Sequence, residues 1–239
     1  MRILHFSDLH GHLPKFKADN LDLIVVSGDI CPDFSPVSSR KSRIKQRFWF
    51  FQEFVPWLED HGNVPFVGCW GNHDFVGEVF DDGHFPGILT NRKISLLNGT
   101  VIYGLPQQPI FYDWAFNEPS DKLRRRFEDI PDDVSILVTH GPPYSLCDSE
   151  DSERRKGSIE AFDVLLHKTN IRLVLCGHIH NGFGFSNFPK IDGRTTDTWV
   201  VNSSHMYSGH AEFRSVTHLI DFDQINGKVT SIIEAPIDS

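Results

Sequence analysis

The sequence predicts a single α/β domain in which helices lie on the outside of mixed β-sheets. Strands and helices alternate along the first part of the 239 residues, and mainly strands follow. The run Leu23–Ser27 is apolar and β-branched without alternation, which is typical of a strand covered on both faces. The length suffices for one large core, and no internal repeat divides the chain. We therefore expect residues 1–239 to form one domain.

The segment that begins at Ser38 predicts an amphipathic helix. We expect this helix to end near Gly62 and to be kinked or divided at Pro56. The basic residues before Phe48 are expected on a solvated face, although a basic run could also steer phosphate substrates. The apolar positions that recur at helical spacing are Ile44, Phe48, Phe51, Val55 and Leu58.

The remaining elements follow from apolar runs and the turn residues between them. Asn98-Gly99 predicts a hairpin with a two-residue turn. Residues 107–120 predict an ordered loop whose aromatic residues either pack it down or form a wall for a flat group. The predicted strands are 2–7, 23–27, 64–70, 94–97, 100–105, 135–139, 171–176, 199–202, 216–221 and 228–235, and the later helices are 123–130 and 158–167.

Composition and charge limit the classes of function. Hydrophobic residues make up 39% and charged residues 23%, as in ordinary soluble domains. The net charge of −9 opposes broad nucleic-acid binding, so we expect no stable nucleic-acid complex. No apolar stretch is long enough to span a bilayer and the start lacks a signal-peptide layout, which predicts a cytoplasmic protein without a membrane partner. Oligomeric state is left open.

The four cysteines show no paired spacing, which predicts reduced thiols. Cys31, Cys69 and Cys176 lie within a few residues of polar motifs, where a thiol could bind metal. Their position at strand ends favours packing instead.

Five polar segments each follow an apolar run, and together they predict a convergent metal site. Any one of these segments alone is equally typical of a turn. Asp8 and His10 are two positions apart, so extended backbone would aim both at one face. We expect His12 to be a neighbour rather than a ligand. The segments are Asp8-Leu9-His10, Gly28-Asp29, Gly71-Asn72-His73-Asp74, His140-Gly141-Pro142-Pro143 and Gly177-His178-Ile179-His180.

This ordered set of segments resembles the calcineurin-like metallophosphoesterase superfamily, whose five blocks are all present. Further stretches resemble its small MPPED-type phosphodiesterases. These stretches are Asp113-Trp114-Ala115-Phe116-Asn117, Thr139-His140-Gly141-Pro142-Pro143, the run from Gly177 to Gly184, and Val201-Asn202-Ser203-Ser204.

The resemblance implies a four-layer α/β/β/α sandwich with two mixed central sheets, and a site for two divalent metal ions at one edge of them. The mixture of imidazole, carboxylate and amide donors favours Mn²⁺, Fe, Zn²⁺, Co²⁺ or Ni²⁺ over Ca²⁺ without choosing among them, and of these we expect Mn²⁺. One ion would be held by Asp8, His10, Asp29 and His180, and the other by Asp29, Asn72, His140 and His178.

The function that the resemblance implies is hydrolysis of a small phosphoester through a metal-bridging hydroxide. A nucleotide-type or cyclic nucleotide phosphodiester is the expected substrate. His73 is expected to protonate the leaving oxygen or stabilise the transition state, and Asp74 to orient its imidazole, with a helix N-cap as the other use of Asp74. The alternatives are a phosphomonoesterase and a binding scaffold of the same fold without turnover.

Overall fold

The computed structural model describes residues 1–62, 64–80, 82–149, 155–189, 197–207 and 212–238. In chain order the strands are β1 (Arg2–Phe6), β2 (Leu23–Ser27), β3 (Phe66–Cys69), β4 (Arg92–Ser95), β5 (Val101–Leu105), β6 (Gln108–Pro109), β7 (Asn117–Glu118), β8 (Ile136–Thr139), β9 (Leu173–Cys176), β10 (Gly184–Asn187), β11 (Trp199–Asn202), β12 (Val216–Asp223) and β13 (Lys228–Pro236). The α-helices are α1 (Arg40–Trp49), α2 (Val55–Asp60), α3 (Ser120–Glu128) and α4 (Ile159–Leu165).

Two mixed sheets form the centre of the molecule. The five-stranded sheet has the order β13-β12-β1-β2-β3, and β1, β2 and β3 run parallel. The six-stranded sheet has the order β10-β11-β9-β8-β5-β4, with the four inner strands parallel and antiparallel strands at both edges. The carboxyl ends of parallel strands share one edge of a sheet, and the polar segments follow these ends.

Three apolar layers hold the sheets and helices together. Alternate residues of one strand face opposite sides, so Leu23 and Val25 pack between the sheets while Ile24 and Val26 pack under the helices. The six-stranded sheet packs in the same way beneath α3 and α4. The predicted α/β/β/α sandwich is therefore confirmed.

The predicted apolar face of the first helix is wrong at its first three positions, whereas Val55 and Leu58 are partly buried against the core. Ile44 and Phe48 are 39% and 61% exposed, whereas Gln46 and Phe50 are fully buried. Gln46 is buried because its amide bonds the carbonyl of His73 and the N–H of Val76. Apolar residues line two faces of this segment, so spacing could not select between them. The residues on the buried face are Gln46, Phe50, Phe54 and Trp57.

The first helix is divided, as the proline predicted. Residues Phe50–Phe54 form a wider π-helical turn between α1 and α2. Pro56 follows at the start of α2, where its missing N–H costs least. The basic residues Lys41, Lys45 and Arg47 are exposed, in agreement with a solvated face.

The hairpin between β4 and β5 forms, but without the predicted two-residue turn. Ser95 faces Val101, and the N–H of Gly99 bonds the carbonyl of Leu96. Gly99 has a φ of +85°, whereas Asn98 is not left-handed, so the turn that needs positive φ at both residues is excluded. The strand predicted at 94–97 lies instead at 92–95 because Leu97 is at the tip of the turn.

Sequence patterns also missed three short strands and the start of one helix. β6 and β7 pair within the predicted 107–120 loop, and β10 follows the His180 segment. Helix α3 begins directly after Pro119, whose extended backbone serves as its N-cap. Cys31 and Cys176 are buried, and burial raises the pKa of both thiols, in agreement with a packing role.

A buried polar chain links the two sheets beneath the polar edge. The Ser203 hydroxyl lies 2.7 Å from His5 Nδ1 and 2.9 Å from His218 Nδ1, and His5 Nε2 lies 2.9 Å from Ser27 Oγ. Burial lowers the pKa of His218 to about 4, with a contribution from Arg214, and burial also lowers the pKa of His5. Both imidazoles are therefore neutral in the folded protein.

The neutral histidines of this buried polar chain predict that the folded protein loses free energy of unfolding in mild acid. The unfolded histidines take up protons near pH 6.5 but the folded ones do not, so stability present above pH 6.5 falls as the pH drops towards 4. His218→Gln is expected to reduce that loss by up to about 1.4 kcal/mol per pH unit. Urea unfolding between pH 7 and 5 measures this, with the exposed His167→Gln as control. Parallel curves for wild type and His218→Gln would contradict the prediction.

Candidate metal and catalytic site

Five loops at one edge of the two sheets bring the predicted site residues together. Three loops follow β1, β2 and β3, and two follow β8 and β9. The predicted metal ligands form one contiguous cluster, in which Asp8, Asp29 and His140 are fully buried or nearly so. The cluster consists of Asp8, His10, Asp29, Asn72, His140, His178 and His180.

Asp29 lies at the centre of this cluster. Its Oδ1 accepts a hydrogen bond of 2.7 Å from the N–H of His73. Its Oδ2 lies 3.3 Å from His140 Nε2 and 3.6 Å from His10 Nε2. One carboxylate thus contacts three other loops, which is the placement needed by a residue shared between two ions.

Asp8 is the second residue in the cluster around which several contacts gather. Its carboxylate accepts hydrogen bonds from the N–H of His178 at 2.9 Å and from the Ser204 hydroxyl at 2.8 Å. His180 Nε2 lies 3.3 Å from Asp8 Oδ1. No role in the site was predicted for Ser204, although it ends the stretch Val201-Asn202-Ser203-Ser204 that resembles the MPPED-type phosphodiesterases.

His140 connects the remaining donors. Its Nε2 lies 2.9 Å from Asn72 Oδ1, and its Nδ1 lies 2.9 Å from the carbonyl of Ser27. The ring of His178 is 5.0 Å from that of His140 between centroids. The bond to Ser27 fixes which imidazole nitrogen faces the cluster, as outer contacts commonly do for histidine ligands.

Four of the cluster residues have left-handed backbone. The φ angles are +56° for Asp8, +45° for His10, +50° for Asp29 and +64° for His178. The predicted reason for pairing Asp8 with His10, an extended strand, is therefore wrong. Non-glycine residues rarely adopt this conformation, and such residues cluster at functional sites.

Glycines allow the loops to approach one another closely. A Cβ on Gly71 would overlap the Asp29 carboxylate, and a Cβ on Gly28 would overlap the ring of His140. Gly28 also has a φ of +100°. These two positions leave no space for a side chain, so glycine here allows Asp29 and His140 to come together and does more than form a turn.

His73 lies at the rim of the cluster and is held on three sides. Its Nδ1 lies 2.9 Å from an Asp33 carboxylate oxygen. The ring of Trp114 stacks on it with centroids 4.0 Å apart, and the ring of His10 meets it edge-on at 4.7 Å. Its side chain is 21% exposed, so it can reach a bound substrate.

Asp33, not Asp74, contacts the imidazole of His73. The Asp74 carboxylate is fully buried and accepts hydrogen bonds from the N–H groups of Gly71, Ile30 and Cys31 at 2.8, 3.1 and 2.8 Å. It does not cap the short helical turn that follows it. The predicted orienting role of Asp74 is therefore wrong, because its oxygens tie two loops together. The sequence offered one indication that Asp33 could belong to the site: it is an acidic residue only four positions after Asp29.

Arg214 supports the His180 loop from behind. Its guanidinium donates to the carbonyls of His180 and Ser204 and lies between the rings of Phe183 and Tyr207, at 4.4 and 4.2 Å. Sequence patterns gave no indication of this residue. Asn202 likewise holds the loop through the carbonyls of Gly177 and Ile179. By position alone, the stretch from Tyr207 to His210 is a further candidate for contact with the non-phosphate part of the substrate, but residues 208–210 lie outside the described residues.

The electrostatics of the cluster suit divalent cations. Burial opposes the charge on Asp8 and Asp29, yet neighbouring His180 and His140 hold their pKa values below the usual range. Burial lowers the pKa of His178 to about 3 and lowers that of His10, so both are neutral. Within the described ranges, the buried His10 Nε2 has no hydrogen-bond partner. Burial works against a proton on His140 and His180, yet Asp29 raises the pKa of His140 to about 9 and Asp8 raises the pKa of His180. Metals require ionised carboxylates and neutral imidazoles, so a cation bound here would take the place of the protons on these two rings.

None of the helices in the described ranges has the length and apolar character of a segment that crosses a bilayer.

Comparison with known proteins agrees with this geometry. A family model for calcineurin-like phosphoesterases matches residues 1–182. Metallophosphoesterase domain-containing protein 1 of Homo sapiens is 39% identical over 235 residues, covering 85% of this chain and 65% of the human protein's length. A probable cyclic nucleotide phosphodiesterase of Synechococcus is 28% identical over 191 residues, covering 77% of this chain and 65% of that protein.

A solved structure extends the likeness to the whole fold. A dimetal phosphatase from Danio rerio covers 100% of this chain and 96% of its own, with a TM-score of 0.55 and 10% identity. The family model spans well over half of the sequence, and all seven predicted metal ligands fall within it. The protein therefore belongs to the calcineurin-like phosphoesterase family, a family of metal-dependent enzymes, and is similar to its metallophosphoesterase-domain-containing members.

Proposed function

We propose that this protein is a phosphodiesterase that uses two divalent metal ions to hydrolyse nucleotide-type phosphodiesters, including cyclic nucleotides. The observation that carries the proposal is the cluster of seven metal donors around Asp8 and Asp29, with the His73 imidazole at its rim. A binding scaffold has no need of this complete set. The similarity to the probable cyclic nucleotide phosphodiesterase of Synechococcus supports the substrate class.

The cluster offers two groups of donors for the two ions. Imidazole, carboxylate and amide donors suit Mn²⁺, Fe, Zn²⁺, Co²⁺ and Ni²⁺ alike, and of these we expect Mn²⁺. Bound there, divalent ions supply positive charge for the phosphate oxygens and make water a nucleophile at neutral pH. One group comprises Asp8, His10, Asp29 and His180, and the other comprises Asp29, Asn72, His140 and His178.

The protein's own residues would handle the proton that the leaving group needs. Asp33 engages His73 Nδ1, so the proton available to substrate is the one on Nε2. As the bond from phosphorus to the leaving oxygen breaks, His73 Nε2 gives its proton to that oxygen. Asp33 stabilises the imidazolium before transfer, and Trp114 keeps the ring in place by stacking.

A chromogenic assay tests this function directly. The protein is stripped with chelator, and hydrolysis of bis(p-nitrophenyl) phosphate and p-nitrophenyl phosphate is followed before and after addition of Mn²⁺. We expect hydrolysis only when metal is present, and faster turnover of the diester than of the monoester. In a second assay, we expect the metal-loaded protein to hydrolyse 2′,3′- or 3′,5′-cyclic nucleotides.

Each other outcome selects a different function. Turnover of the monoester alone would favour a phosphomonoesterase over a phosphodiesterase. If metal-loaded protein hydrolyses neither ester, the scaffold reading replaces the enzymatic one. Metal content of the loaded sample, measured by elemental analysis, ensures that inactivity is not caused by missing metal.

A further inference from the structure

Two exposed aromatic side chains lie beside the metal-ligand cluster at the tip of the loop between β6 and β7. Phe111 is 49% exposed and Tyr112 is 79% exposed. Their rings are 4.6 Å apart between centroids at an angle of 70°. The mechanism above uses neither residue. We call these two side chains the aromatic pair.

The loop tip that carries the aromatic pair is held by the protein itself. The Asn117 amide accepts from the N–H of Phe111 at 3.2 Å and donates to the carbonyls of Phe111 and Tyr112 at 3.2 and 2.8 Å. Tyr112 has a φ of +47°, a conformation that non-glycine residues rarely adopt. Such backbone persists only where its surroundings enforce it.

The base of the same loop is attached to the catalytic loops. The N–H of Ala115 donates to the carbonyl of Asn72 at 3.1 Å, and Ala115 is fully buried. Trp114 stacks on His73. These residues pack the loop down, whereas Phe111 and Tyr112 project from it. Packing therefore accounts for Trp114 and Ala115 but leaves the aromatic pair without a structural use.

Phe111, one member of the aromatic pair, lies next to the predicted metal ligand His178. The ring of Phe111 meets the ring of His178 edge-on, with centroids 6.4 Å apart. A phosphate bound at the metal-ligand cluster would thus have aromatic surface within reach of the group esterified to it. In a nucleotide, the base is separated from the phosphate by a single ribose.

We propose that the aromatic pair is a stacking site for the nucleobase of the substrate, an inference that rests on the proposed function. Every base has an aromatic face, so stacking on Phe and Tyr favours nucleotides over alkyl phosphodiesters without selecting one base. The rigid tip lowers the entropic cost of binding because the rings are already positioned. The substrate class is therefore nucleotide phosphodiesters of broad base preference.

Matched ligands and matched variants test this site. Adenosine 5′-monophosphate and ribose 5-phosphate share the phosphate and sugar and differ by the base. Calorimetric titration of the Mn²⁺-loaded protein is expected to give about ten-fold tighter binding of the nucleotide. In the double variant Phe111→Leu/Tyr112→Leu, which keeps apolar bulk without rings, the two ligands are expected to bind equally, with ribose 5-phosphate unchanged. Ile110→Ala, at an exposed position on the same tip, serves as control.

The outcomes separate this site from the proposed function. Equal affinities in wild type, or a nucleotide preference that survives in the double variant, would overturn the stacking site. Bis(p-nitrophenyl) phosphate turnover is measured on the same samples. Turnover with equal affinities contradicts the stacking site alone, whereas a ring-dependent nucleotide preference without turnover contradicts the proposed function and supports the stacking site.

Discussion

Asp29→Asn is expected to abolish phosphoesterase activity, with a loss of about 10³-fold or more, because it removes the charge that both ions would share. The substitution is isosteric, so the amide oxygen can still accept the hydrogen bond from the N–H of His73. The fold should therefore remain intact while metal binding fails. Turnover of the chromogenic diester and metal content by elemental analysis measure the two effects.

The control for this variant is Asp19→Asn, which removes one negative charge from an exposed loop position. It should retain both metal and turnover. If Asp29→Asn held its full complement of metal and lost less than about ten-fold in activity, the central role of Asp29 would be wrong.

His73→Gln is expected to slow hydrolysis most for substrates whose leaving group must be protonated as it departs, and least for substrates whose leaving group departs as a stable anion. An alkyl leaving group needs protonation, so its release should fall by about 10² to 10⁴-fold. Nitrophenolate leaves without a proton, so its release should fall far less. Asp33→Asn should show the same dependence with a smaller loss, since it removes the negative charge beside His73 Nδ1 but keeps the imidazole. Rates for p-nitrophenyl and alkyl diesters, compared within each variant, measure this.

Asp74→Asn provides the matched control for Asp33→Asn. Asp74 is bonded to three backbone N–H groups and does not touch the His73 ring, so its loss should reduce stability and slow all substrates alike. Equal losses on both substrates in His73→Gln would contradict the proton-donor role and leave His73 as a binding residue.

The sequence was sufficient for the architecture because the signals that define it are local and repeated. Buried strands such as Leu23–Ser27 are recognisable by their apolar runs, and each polar segment follows one of them. The face of the first helix was not recognisable, because apolar residues line more than one side. Gln46 is buried through hydrogen bonds to the His73 loop, which are contacts that spacing does not encode.

The candidate site likewise has a part that could be predicted from sequence and a part that could not. The convergence of the seven predicted donors could be expected from sequence, because imidazole and carboxylate at successive strand ends have few other uses. Their local geometry was not, because Asp8 and His10 adopt left-handed backbone in place of an extended strand. Asp33 and Ser204 were missed because each acts through a partner distant in sequence, at 40 and 196 positions. The choice between Asp33 and Asp74 was decided by tertiary contacts, which carry no sequence periodicity.

The strand order has a consequence for how the chain folds. β1, which leads to Asp8, lies between β2 and β12, and the Thr217 hydroxyl donates to the His5 carbonyl across 212 positions. During synthesis, one edge of β1 therefore stays open until the last strands emerge, although every strand of the six-stranded sheet has already been made. Long-range pairing of this kind is slow and leaves exposed strand edges. During synthesis, the pairing of β1 with β12 thus has to wait until nearly all of the chain has been made.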